Sequence, residues 1–263
     1  CVGLSWIYMR YVEPAWLEVT HKSVPVKGGA SSKIRILHLS DFHASDVVPF
    51  ELIEEAIDLG LKQKPDLICL TGDFISWGMP SPGRYQNILS KMSKEVPTYA
   101  SLGNHDGGRW AGPRGGFTST ENIEILLANA NIKVLRNTAV DHDVNGRVIR
   151  LVGLGDQWAK DLKPEEAFRG GETEKTTVVL SHNPDSRSSL KPYPWDLMLC
   201  GHTHGGQLVI PVLGARPFVP IHDSAFSEGL IEWDDRYIHV TRGVGNLHGM
   251  RFNCRPEVSL LDV

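Results

Sequence analysis

No apolar run in this chain is long enough to span a bilayer; the most hydrophobic end, Cys1 to Trp16, is interrupted by Arg10 and Glu13. Basic residues are not in excess either. Lys and Arg number 27 against 31 Asp and Glu, a net charge of −4, so the chain carries no general electrostatic footprint for long nucleic acid. Cysteine is scarce, with 4 in 263 residues and no zinc-like spacing among them. Cys69 and Cys200 fall inside apolar runs and read as reduced core residues, which favours a domain facing the cytoplasm. Repeats and low-complexity tracts are missing. A chain of this length with 41% hydrophobic and 22% charged residues fits one large globular domain with a sizeable core.

What the chain does have is a set of short apolar runs that end in metal-ligand residue types. Ile34 to Leu39 leads to Asp41 and His43, Asp66 to Leu70 to Asp73, and Val96 to Leu102 to Asn104, His105 and Asp106. Thr177 to Leu180 leads to His182, and the run ending at Cys200 leads to His202 and His204. Each reads as a buried strand followed by a turn. In an open α/β sheet, ligands bind outside the carboxyl ends of the strands, so these tips are expected to converge on one pocket. For His202 and His204, an extended segment would point both imidazoles to the same side. Alone, that pair is as compatible with two surface histidines; the other strand tips argue for a site.

The ordered set Asp-Phe-His, Gly-Asp, Gly-Asn-His-Asp, a lone His and Gly-His-Thr-His resembles the calcineurin-like metallophosphoesterase superfamily. Segments 11–20, 181–185, 201–207 and 241–245 look like the bacterial YkuE and YaeI phosphodiesterase branch, to which the lipid A enzyme LpxG is similar. The resemblance implies a four-layer αββα sandwich of two mixed sheets flanked by helices. It also implies two divalent ions, one held by Asp41, His43, Asp73 and His204, the other by Asp73, Asn104, His182 and His202. Asp73 would bridge through its two oxygens. Imidazole and carboxylate donors suit manganese, iron or zinc better than magnesium, and manganese is the expectation. A water shared by two dications is acidified enough to attack phosphorus near neutral pH. His105, outside both ligand sets, is the candidate general acid, with Asp106 holding its imidazole. Arg109, Arg114, Arg136 and Arg251 are candidate phosphate clamps, each equally readable as a solvated surface arginine. Asp156 reads as a turn aspartate and His38 as a core histidine.

Around these motifs the chain reads as follows. Residues 1–32 form an N-terminal extension, either a membrane-anchor stub or a segment packed on the domain, with a Gly and Ser linker at 27–32; residues 33–263 form the catalytic domain. A first residue other than Met suggests a truncated start. Helices are expected over 49–64 and 85–93, a capping box from Thr118 to Glu121 opens another, and a short one lies near 186–190. The apolar, proline-rich stretch 208–221 is either an edge strand with a buried loop or an exposed lip for acyl chains or a bilayer.

The functional expectation is hydrolysis of a phosphodiester or pyrophosphate. The resemblance to LpxG points to UDP-2,3-diacylglucosamine, cleaved to 2,3-diacylglucosamine 1-phosphate and UMP in lipid A synthesis. A phosphodiesterase on soluble nucleotides or glycerophosphodiesters is the enzymatic rival, and a non-catalytic scaffold the rival of another class. The expected setting is a bacterial inner membrane, peripheral or N-terminally anchored, with no obligate protein partner evident.

Overall fold

The computed structural model describes residues 2–26, 33–170 and 175–263. The expected linker at 27–32 lies outside them. In chain order the elements are α1 (Val2–Ile7), β1 (Glu18–Ser23), β2 (Arg35–Leu39), α2 (Phe50–Leu61), β3 (Leu67–Thr71), α3 (Pro82–Glu95) and β4 (Thr98–Ser101). Then come α4 (Glu121–Asn129), β5 (Lys133–Val134), β6 (Thr138–Val144), β7 (Arg147–Gly153), α5 (Pro164–Ala167) and β8 (Thr176–Leu180). The chain closes with α6 (Arg187–Leu190), β9 (Leu197–Cys200), β10 (Gly229–Trp233), β11 (Arg236–Val240) and β12 (Glu257–Asp262).

The strands form two mixed sheets of six, ordered β1-β12-β2-β3-β4-β5 and β10-β11-β9-β8-β7-β6. Their central strands are parallel and mostly apolar because both faces are buried. Alternation decides which layer each residue fills. Leu37, Leu39, Ile68 and Leu70 pack under the amphipathic helices α2, α3 and α4, which contribute Ile53, Ile57, Leu89 and Leu127. Ile36, Leu67, Val178 and Leu197 fill the space between the sheets. Val179, Met198 and Cys200 meet the outer layer through Ala167 of α5 and Leu190 of α6. The layers are therefore αββα. His38 is a buried histidine between the sheets, its two ring nitrogens 2.8 Å from Thr71 Oγ1 and 3.0 Å from His239 Nδ1. Cys69 and Cys200 are buried free thiols that burial pushes up in pKa.

Three local expectations need correction. β1 pairs with β12 along its whole length, so residues 18–23 belong to the sandwich rather than to an extension. The helix after 118 starts at Glu121, and in place of a capping box the Thr120 hydroxyl donates to Glu124 at 2.6 Å. Of the two readings of residues 208–221, the edge strand with a buried loop does not form: the stretch is an irregular loop with Leu213 78% and Phe218 65% exposed. At the N-terminus, the buried Glu13 carboxylate accepts the amides of Asn253 (2.9 Å) and Cys254, and the Arg251 amide donates to the Met9 carbonyl at 2.9 Å. The outer side of this segment exposes Leu4, Trp6, Tyr11 and Trp16. Among the described residues, no helix is long and apolar enough to cross a membrane.

Candidate metal centre

The strand tips of the two sheets meet. Asp41 and His43 follow β2, Asp73 follows β3, Asn104 and His105 follow β4, His182 follows β8, and His202 and His204 follow β9. The backbone here is unusual. Asp41, His43, Asp73, His202 and His204 all have positive φ, between 48° and 71°, a conformation that costs a residue with a side chain on the order of 1 kcal/mol. Dense hydrogen bonding holds it. The Asp41 amide donates to Gly72 O at 2.9 Å, the His43 amide to Asp73 O at 3.0 Å, and Gly245 N to Asp41 O at 2.7 Å. Neighbouring glycines make room: a Cβ on Gly103 would sit 2.2 Å from Asp73 Oδ1, and one on Gly201 2.1 Å from Asp41 Oδ2.

The side chains converge in two groups that share Asp73. His43 Nε2 lies 3.1 Å from His204 Nε2, and Asp41 Oδ1 is 3.4 Å from His204 Nε2. On the other side His182 Nε2 is 3.2 Å from His202 Nδ1. Asp73 Oδ2 faces both groups, 3.4 Å from His43 Nε2 and 3.1 Å from His182 Nε2, while Oδ1 accepts the His105 amide at 2.8 Å. Asp73 is thus the carboxylate that both groups approach. The extended geometry expected for the His202–His204 pair is corrected. Both residues have positive φ, and their rings go to different groups.

These donors fit metal ions. The Asn104 Oδ1 and His202 Nε2 atoms are buried without a hydrogen-bond partner, an arrangement costly for a structural residue. The His182 Nδ1–H donates to the Thr71 carbonyl at 2.7 Å, which aims Nε2 at the site, 3.1 Å from Asp73 Oδ2; burial acts to lower this imidazole's pKa, but the carboxylates of Asp73 and Asp41 beside it raise it. Burial pushes His43 and His202 down to about 3, so both are neutral and able to donate a lone pair at neutral pH. Burial raises Asp41 to about 6. For Asp73 burial also acts upward, but the charges of His182, His105 and His43 and the hydrogen bond from His182 together outweigh it and lower the carboxyl. Positive charge in the site would draw both carboxylates further toward ionisation.

His105 is bound through Nδ1 to the Ser76 carbonyl at 2.6 Å; a carbonyl only accepts, so Nδ1 carries the proton. His105 also offers a ring nitrogen within 4.8 Å of donor atoms of His43 and Asp73, close enough to serve as a ligand. Asp106 does not hold its imidazole. The Asp106 carboxylate instead accepts three backbone amides: Asp73 at 2.9 Å, Phe74 at 2.7 Å and Gly103 at 2.7 Å. It pins the β3 and β4 turns together, while burial and then the Asp73 charge push it up to about 8 against those donors.

The arginines separate. Arg251 is fully buried and donates to the carbonyls of Cys254 (3.0 Å), Arg242 (2.7 Å) and Gly245 (2.6 Å), so it is a structural clasp and not a phosphate clamp. Arg136 is engaged by Asp161 at 2.5 Å and Glu124 at 3.1 Å. Arg114 lies over the Trp110 ring at 4.5 Å and donates to its carbonyl at 2.8 Å. Only Arg109 among the four is exposed with no ion pair or side-chain hydrogen bond among the described residues; it lines a cleft of about 400 Å³ with Gly103 and Asp156. Asp156 Oδ1 accepts the Ala159 amide at 2.7 Å, a turn role, and burial raises this carboxyl to about 6. A second, apolar cavity of about 340 Å³ opens on His202 and His204 and is lined by Leu208, Phe218, Leu247 and Met250. Sequence reasoning missed Trp158, whose ring stands edge-on to His202 at 4.3 Å; no motif surrounds it to mark it.

Comparison with known proteins shows the family. The family described as calcineurin-like phosphoesterase matches residues 34–206. Phosphodiesterase YaeI of Escherichia coli is 42% identical over 97% of this chain and 92% of that protein. UDP-2,3-diacylglucosamine pyrophosphatase LpxG of Chlamydia trachomatis is 26% identical over 98% of this chain and 92% of the relative. The uncharacterized metallophosphoesterase YkuE of Bacillus subtilis is 29% identical over 98% and 89%. Among solved structures, TT1561 of Thermus thermophilus shares the fold, with a TM-score of 0.51 at 14% identity over 81% of this chain and 91% of that one. The chain belongs to the calcineurin-like metallophosphoesterases, hydrolases of phosphorus esters.

Proposed function

We propose that the protein hydrolyses a phosphodiester or pyrophosphate bond in a substrate that joins a phosphorylated polar part to an apolar one, with UDP-2,3-diacylglucosamine the best match. The observation that carries this reading is the apolar cavity beside His202 and His204, whose lining of Leu208, Phe218, Leu247 and Met250 suits alkyl chains next to the candidate metal ligands. The relation to LpxG supports it, and so do the exposed apolar side chains of the 208–221 loop and of the N-terminal segment. Both segments attach to 247–254: Val209 N donates to Phe252 O, and Arg10 Nη1 to Gly249 O at 2.8 Å. The proposed setting is the surface of a bacterial inner membrane, with the catalytic domain facing the cytoplasm.

Divalent ions, with manganese proposed, would be held by Asp41, His43, Asp73 and His204 and by Asp73, Asn104, His182 and His202, supplying Lewis acidity toward the phosphoryl group and an acidified water. The chain's own residues do the rest. Asp73 and Asp41 keep their orientation through amide hydrogen bonds from His105 and His202. His105, with Nδ1–H fixed by Ser76, would act as the imidazolium, whose Nε2 proton passes to the leaving oxygen and leaves the neutral Nδ1–H ring behind. Arg109 supplies a cation at the mouth.

The test is a panel assayed with manganese-loaded protein: bis-p-nitrophenyl phosphate, a nucleotide monoester and UDP-diacylglucosamine. The expected order has the lipid nucleotide turned over best and the monoester worst. A protein that cleaves bis-p-nitrophenyl phosphate while leaving the lipid nucleotide intact favours the soluble-diester alternative. One that loads metal and cleaves nothing in the panel would point to the scaffold.

A further inference from the structure

Above the ligands stands a wall of indoles that the reaction as described does not use. Trp77 comes from the loop after β3, Trp110 from the loop after β4, and Trp158 from the turn after β7. The His105 ring sits 4.7 Å from Trp77 and 4.6 Å from Trp110. Trp77 and Trp110 are nearly parallel, 8° apart with centroids at 5.8 Å, and Trp158 continues the row 5.8 Å from Trp110 before meeting His202 edge-on. Arg114 lies over the Trp110 ring, so part of that ring is already covered. Trp77 remains 41% exposed.

An indole left facing water beside a buried polar centre forgoes the benefit of burying it. Three loops distant in sequence bring such rings to one edge of the site, the edge where His105 stands. We propose that this wall is a stacking subsite for a flat heteroaromatic ring, a nucleobase being the biological kind, carried by the group that leaves phosphorus toward His105. The inference rests on the reading of His105 as the residue facing the leaving group. A group departing on that side runs along Trp77, and a planar ring gains a face-to-face partner there without sequence-like selectivity among bases. The apolar cavity on the His202 and His204 side is then left to the other half of the substrate.

The experiment compares two probes that differ only by the base, uridine 5′-monophosphate and ribose 5-phosphate. They are measured as inhibitors of bis-p-nitrophenyl phosphate hydrolysis and by quenching of indole fluorescence in the manganese-loaded chain. Wild-type protein is expected to bind the nucleotide about tenfold more tightly than the sugar phosphate. Trp77→Leu, which keeps apolar bulk but lacks a flat ring, brings the two constants to within about twofold, and Trp77→Phe restores most of the gap. A merely structural role for Trp77 would weaken both probes alike. Equal affinities in the wild type, or a gap that survives Trp77→Leu, would overturn the proposal. Failure to hydrolyse the diester would instead strike the catalytic reading, and the fluorescence titration would still report the ring preference on its own.

Discussion

The floor of the site and its rim are built by different means. On the floor, Asp41, Asp73, Asn104 and His182 sit at strand tips whose turns are locked by backbone hydrogen bonds, by the threefold acceptor Asp106 and by glycines with no space for a Cβ. The rim consists of Trp77, Trp110, Trp158 and the 208–221 loop, held by ring packing and partly open to solvent. The difference teaches where rigidity is required. Metal donors lose their function when displaced by a fraction of an ångström, so strain is accepted and fixed there. Surfaces that recognise the variable parts of a substrate need only offer the right kind of face.

This contrast can be broken most severely at Asp73. Asp73→Asn removes the charge shared by both ligand groups, and diester hydrolysis is expected to fall by about a thousandfold or more, with metal content per chain reduced. His105→Ala should come next, with a loss of about a hundredfold in kcat at unchanged metal content. A loss of metal on that substitution would reassign His105 as a ligand, which its distance to His43 and Asp73 permits. Both outcomes are read by combining turnover with elemental analysis of the purified variants.

The floor was legible because coordination chemistry constrains residue type and order: Asp41, His43, Asp73, Asn104, His182, His202 and His204 each follow an apolar run, and their ordered motifs carried the family resemblance that implied the αββα layering. What was not legible is geometric. Asp106 is adjacent to His105 in sequence yet bonds to the amides of Asp73, Phe74 and Gly103, because its short side chain turns back under the loop. Arg251 has the composition of a phosphate clamp, but its loop folds it inward onto backbone carbonyls. Trp158 lies in no motif, since stacking faces tolerate many surroundings. β1 was hidden because its partner β12 is at the far end of the chain.

Asp106 offers a smaller effect that sharpens the comparison. An amide has one oxygen, so Asp106→Asn leaves a backbone donor without its acceptor, and unfolding free energy is expected to drop by about 1–3 kcal/mol in denaturant titrations. The smallest stability effect belongs to the rim. Phe218→Ser with Leu213→Ser should change stability by less than about 0.5 kcal/mol, since both side chains are mostly exposed. Binding to anionic lipid vesicles is expected to fall by about tenfold in sedimentation assays; equal binding by the variant would remove the loop from any membrane contact.

In the proposed reading the strand tips of the two sheets form a single dinuclear centre. The most direct measurement is the metal content of purified, manganese-loaded protein by elemental mass spectrometry, titrated alongside hydrolysis of bis-p-nitrophenyl phosphate. Two ions per chain, with activity appearing as the second one binds, is the predicted result. Full activity with a single ion per chain, or with none, would contradict it.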